Sequence, residues 1–145
     1  MPTLFHLSLS VRDPEHCARV LAEITDGQAI AFKARGLEGA WICLWDPTTN
    51  HLVEFLPARA VMHRAPEAAA FRSTDHPVVG GTHLQLQAER GVDHIRGVSE
   101  SHGCCCRLRC DPRRGGPLLE VWLEEDVLLE LVSDDISAAC AASRL

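Results

Sequence analysis

The sequence contains no tyrosine, and only 5% of its residues are aromatic. It has no apolar run near the roughly 18 to 20 residues that span a bilayer, and its amino terminus has neither the basic nor the apolar segment of a secretory leader. Basic residues form no run beyond Arg113 and Arg114, and 14 Lys+Arg against 20 Asp+Glu leave a net charge of −6. These absences argue against a membrane protein, a secreted precursor and a nucleic-acid binder. The expectation is a soluble, cytoplasmic protein acting on a small molecule. Its seven cysteines are odd in number, and Cys104, Cys105 and Cys106 are consecutive. That usage suits a reducing compartment better than a disulfide framework, with the cysteines as small strand fillers.

What is present is a repeat. "FHLSLSV" at 5–11 and "THLQLQA" at 82–88 align His6 with His83, 77 positions apart. "HLVEFLP" at 51–57 and "VLLELVS" at 127–133 align Glu54 with Glu130 at an offset of 76. Two matches at almost one offset indicate a duplicated module. Module 1 spans about 1–57, an arm 58–81, module 2 about 82–134, and a tail 135–145.

Each module reads as strand, helix and three strands. Residues 4–11 alternate as a strand does. Asp13 and Pro14 form a helix start, Cys17, Val20, Leu21 and Ile24 share a helical face, and Gly27 is a stop. Strands follow near 28–33, 39–45 and 50–57, the last two joined by "DPTTN", where Pro47 and Asn50 are turn chemistry. In module 2 the strands are 82–89, 104–110, 117–124 and 126–133, with "GVDHIRGVSESHG" a weaker helix and "PRRGGP" at 112–117 a turn. "APEAAAF" in the arm reads as a short helical turn, and the tail as one more short helix.

Alternation puts His6, Ser8 and Ser10 on one strand face and His83, Gln85 and Gln87 on the equivalent one. Glu54 and Glu130 each stand on a face flanked by apolar residues. A lone carboxylate there is costly unless a partner or an ion meets it. If the two sheets curve together, His6, Glu54, His83 and Glu130 form an N2O2 set suited to a divalent metal ion such as Zn, Ni, Co, Mn or Fe(II). Trp41 and Trp45 share a face and either line a cavity or pack the core. His51, His63, His76, His94 and His102 follow no comparable pattern. Arg35, Arg72, Arg113 and Arg114 are the cations considered as substrate anchors, and none can be placed from sequence.

These carriers resemble the vicinal oxygen chelate superfamily, which includes glyoxalase I, methylmalonyl-CoA epimerase, extradiol dioxygenases, fosfomycin resistance enzymes and bleomycin-binding proteins. The resemblance lies in His6 with "VRDPEHCARVL", in "WDPTTNHLVEF" like the family's Asp-Pro-Asp-Gly-Asn turn, and in His83 and Glu130. It implies an α+β fold in which two βαβββ modules form a cupped, half-open eight-stranded barrel around one metal, usually in a homodimer. The implied ligands are His6, Glu54, His83 and Glu130. Thr48 and Thr49 in the turn, and "LEEDVLLEL" without an Asp-Pro turn, depart from the family pattern.

The two-His, two-Glu set resembles that of glyoxalase I. It implies a lyase or isomerase in which the metal stabilises an enolate and a glutamate, Glu130 first and Glu54 second, moves the proton. The alternative is a metal-free protein that binds a drug or metabolite. An extradiol dioxygenase, which usually adds tyrosine acids to two His and one carboxylate, fits less well, and a three-ligand transferase of the fosfomycin type is also less favoured.

Overall fold

Asp13 begins the first helix as expected: its side chain accepts a hydrogen bond from the His16 backbone N–H, and Pro14 fills the first turn. In the computed structural model, which describes residues 6–33, 37–49, 51–64, 66, 69–78, 82–110 and 117–143, helix α1 runs Pro14–Thr25. Asp26, at φ 54°, takes the left-handed position that closes it. Gly27 follows because a Cβ there would lie 2.9 Å from Cys43 Sγ.

The first module places α1 between β1 (His6–Val11) and β2 (Gln28–Phe32), then adds β3 (Ala40–Asp46) and β4 (His51–Pro57). The sheet order is β1-β4-β3-β2, with β1 and β4 parallel and the other pairs antiparallel. Leu9, Val11, Cys43, Val53 and Phe55 are buried on the α1 side with Cys17, Val20, Leu21 and Ile24. The tryptophans also belong to that side. Trp45 Nε1 donates to Thr25 Oγ1 at 2.7 Å, and the Arg19 guanidinium lies 5.2 Å from the Trp41 ring centre. Packing on the helix, and not a cavity lining, is their role.

The turn after β3 explains how threonines substitute for the expected residues. Asp46 Oδ1 accepts from the Thr48 amide and hydroxyl at 2.8 and 2.7 Å, and Oδ2 from the Thr49 hydroxyl at 2.8 Å. These bonds, Thr48's foremost, hold the Asp46 carboxyl down to about 2 from its ordinary 3.8. Because the folded value is depressed, the turn's stabilisation is present above about pH 4 and lost as pH falls through about 2. A carboxyl NMR titration should place the Asp46 midpoint there, and Thr48→Ala should raise it; an ordinary midpoint in the native chain would contradict the arrangement. Asn50 lies outside the described residues, as do Arg35, Arg113, Arg114 and most of the "PRRGGP" turn.

The arm corrects one expectation. Instead of a helical turn, β5 (Ala60–Arg64) and β6 (Ala69–Ser73) form an antiparallel pair. Alanine has helix propensity, but Phe71 and Ala60 pack against Leu37, Ala40 and Leu56, and that tertiary burial prevails. Ala65, Glu67 and Ala68 of "APEAAAF" are outside the described residues.

The second module repeats the pattern with β7 (Thr82–Gln87), α2 (Val92–Ser101), β8 (Cys105–Arg109), β9 (Leu118–Glu124) and β10 (Val127–Val132), in sheet order β7-β10-β9-β8. Helix α3 (Asp134–Ala142) ends it. Gly91 offers no capping side chain to α2; Asp135 of α3 supplies one, accepting from Val92 N–H at 2.8 Å, a bond of about 1 kcal/mol by analogy with local caps. The chain comprises two compact units, 1–80 and 81–145.

Cysteine usage also differs from expectation. Cys110 and Cys140 form a disulfide that ties the end of β8 to α3. Cys17, Cys43, Cys104, Cys105 and Cys106 take no part in a disulfide. Burial pushes the Cys43 thiol up to about 11 and raises those of Cys104 and Cys106, which keeps them protonated and inert. Cys106, on β8, fits the strand-filler reading, whereas Cys104 precedes that strand. Among the described residues no helix is long and apolar enough to cross a membrane.

Candidate functional site

Strand pairing decides which side chains share a face. In module 1, His6 lies opposite Leu52 and Ser8 opposite Glu54 on parallel neighbours. His6 and Glu54 are therefore a diagonal pair on one face, an offset that long side chains can bridge. Module 2 reproduces this: His83 faces Leu128, and Gln85 faces Glu130. Both histidines are exposed and both glutamates half-buried. Each module thus presents one imidazole and one carboxylate side by side.

The two carboxylates are held differently. Glu54 Oε2 accepts from Ser8 Oγ at 2.5 Å. Glu130 Oε1 accepts from Arg109 Nη2 at 3.1 Å, while its Oε2 has Gln85 Nε2 at 3.5 Å, a long contact. Two more residues complete a polar row that has no counterpart in module 1. Glu120 on β9 pairs in register with Glu130 on one side and Arg107 on the other. The row Gln85, Glu130, Glu120, Arg107 crosses the whole sheet where module 1 has Ser8, Glu54, Ile42, Ile30.

Glu120 and Arg109 were not among the sequence candidates. The signal was available: Glu120 in "LLEVWLE" interrupts an apolar run as Glu54 and Glu130 do, and the alternation in "CRLRC" puts Arg107 and Arg109 on one face. His63, His76 and His94 are exposed, and His51 and His102 half-buried.

Among the described residues no three His, Cys, Asp or Glu side chains gather at one point. A depression of about 500 Å³ in module 2, lined by Gln87, Glu89, Arg90, Asp134 and Asp135, sits at the amino-terminal ends of α2 and α3; none of the four candidate ligands lines it.

No family model and no curated protein matches the chain. Solved structures do. A mutant of the fosfomycin resistance protein FosX from Listeria monocytogenes, complexed with Mn(II) and 1S,2S-dihydroxypropylphosphonic acid, is 16% identical, with 92% of each chain covered and a TM-score of 0.57. FosX from Mesorhizobium loti is 16% identical over 90% of this chain and 91% of its own, at a TM-score of 0.52. A possible glyoxalase from Bacillus cereus is 10% identical over 90% and 98%, also at 0.52. All three are vicinal oxygen chelate proteins. Identities this low speak for architecture alone, and that architecture matches the pair of βαβββ modules described above: this chain has the vicinal oxygen chelate fold.

Proposed function

We propose that the protein is a metal-dependent enzyme of the glyoxalase and epimerase type, acting on a small oxygen-containing metabolite. His6, Glu54, His83 and Glu130 hold its divalent ion. The observation that carries this reading is the diagonal His and Glu pair on adjacent parallel strands, present in both modules at equivalent register. Two neutral imidazoles and two carboxylates are a donor set that fits Zn, Mn, Ni, Co or Fe(II). The Mn(II) held by FosX from Listeria monocytogenes supports manganese as the first ion to try.

A divalent ion there supplies Lewis-acid stabilisation of charge developing on a substrate oxygen. The protein's part is to bind, orient and move a proton. The sequence ranks Glu130 ahead of Glu54 for that proton, and the hydrogen bonds reverse the order. Arg109 fixes the Glu130 carboxylate in place. The Ser8 hydroxyl on Glu54 can rotate between donating and accepting, so it suits that carboxylate with or without a proton. Glu54 is therefore the proton carrier in this reading, and Glu130 the fixed ligand.

A second reading, a metal-free protein that binds a drug or metabolite, is favoured by one observation: both carboxylates already have protein partners. Metal analysis and Mn(II) titration separate the two. The enzyme reading expects one ion per four-ligand set, lost in His6→Ala combined with Glu130→Ala. If the native protein takes up no divalent ion, the enzyme reading fails and the binder stands.

A further inference from the structure

We infer that Glu120, through Arg109, is a positioning residue for the Glu130 ligand, setting both the orientation of its carboxylate and the charge around it. This rests on the metal reading above.

The Glu120 side chain is 3% exposed, yet it lies between two cations. Arg109 Nη1 meets its Oε1 at 3.0 Å. Arg107 Nε donates to its Oε2 at 2.9 Å, and Arg107 Nη2 contacts the same oxygen. The other arm of the Arg109 guanidinium reaches Glu130 Oε1 at 3.1 Å. One planar fork therefore joins the buried carboxylate to the candidate ligand, an arrangement suited to arginine and not to lysine.

Two consequences follow for an ion. Arg109 engages Glu130 Oε1, which leaves Oε2, the one near Gln85 on β7, the strand that carries His83, the less engaged oxygen for coordination. The second consequence concerns charge. An arginine alone beside Glu130 would cancel the ligand's charge and repel a dication. With Glu120 included, the linked group Arg107, Glu120, Arg109 and Glu130 is neutral, whereas without Glu120 it would be positive, so the buried carboxylate offsets the cation beside the ligand and the arginine can remain while the ion binds. The βαβββ pattern also accommodates an apolar residue at this place, since module 1 has Ile42 beside Glu54 there. Conserved metal sites gain much of their affinity from such outer partners.

The test is Mn(II) titration of the full chain, read by electron paramagnetic resonance of free and bound ion, with circular dichroism to verify folding. Glu120→Gln is expected to weaken Mn(II) binding by roughly 10- to 100-fold. It should also broaden the spectrum of the bound ion, because Glu130 is no longer fixed; a purely structural role would leave that spectrum unchanged. Should Glu120→Gln fail to fold, Arg109→Lys carries the test, since an ammonium keeps the charge but cannot span both carboxylates in one plane. Native affinity and spectrum in the folded variants would overturn the inference while leaving the metal reading intact. No Mn(II) binding by the native protein would overturn both.

Discussion

Phe55→Ala should lower the stability of the first module by about 3 to 5 kcal/mol, the range for truncating a buried aromatic. Phe55 is 0% exposed, the largest of the fully buried side chains, and sits on the central strand β4 with Leu9 opposite it on β1 and Trp41 on β3. Its neighbours belong to two strands and cannot collapse together without moving the sheet, so much of the emptied volume persists. Urea denaturation followed by tryptophan fluorescence should show the midpoint falling by roughly 2 M, given slopes of about 1 to 3 kcal/mol/M. A drop below about 0.5 M on that scale would mean that β4 is packed more loosely than described. Glu54 and Phe55 are adjacent residues on opposite faces, so the same experiment separates fold from site: Glu54→Gln should leave the midpoint nearly unchanged.

The second large effect depends on which partner of the buried ion pair is removed. Glu120→Ile alone leaves Arg109, only 25% exposed, with half its fork empty, and should destabilise module 2 by about 3 kcal/mol. Combining it with Arg109→Met should recover most of that loss, because well-packed apolar residues often replace a buried ion pair at no net cost. Module 1 already displays the apolar version, with Ile42 in register with Glu54 and Ile30 beyond it. Thermal unfolding of the native protein, Glu120→Ile, Arg109→Met and the double variant, analysed as a double-mutant cycle, would measure the coupling. If the double variant is as unstable as the single one, the pair is structural after all.

The elements that sequence alone reveals are those with a local cause. Asp13, Pro14 and the spacing of Cys17, Val20, Leu21 and Ile24 define α1 nearly to the residue, and the alternation at His6–Val11 and Thr82–Gln87 defines both first strands. The repeat then brings each histidine and glutamate to equivalent strands, where parallel pairing makes them diagonal neighbours. Features with a distant cause were less legible. Alanine-rich 69–71 reads as helix because its strand partner at 60–64 and the burial of Phe71 are tertiary facts. The Cys110–Cys140 link depends on α3 returning to the end of β8, which spacing does not reveal. Glu120 was passed over because a repeat directs attention to what the halves share, and its counterpart is an isoleucine.

The parallel closure of each module also affects the timing of assembly. Among the described residues β1 pairs with β4 alone and β7 with β10 alone, each pair joining the start of a module to its end. If the proposed metal site holds, a nascent chain that has exposed His6 but not yet released 51–57 from the ribosome would offer an ion one ligand of the pair and no more. The closing of such a loop is entropically slow, so ion capture would report that a module is complete. An ion that binds only the closed form would in turn stabilise the closure by mass action. Fraying of β1 alone would dismantle the first pair while leaving β2, β3 and β4 hydrogen-bonded to one another.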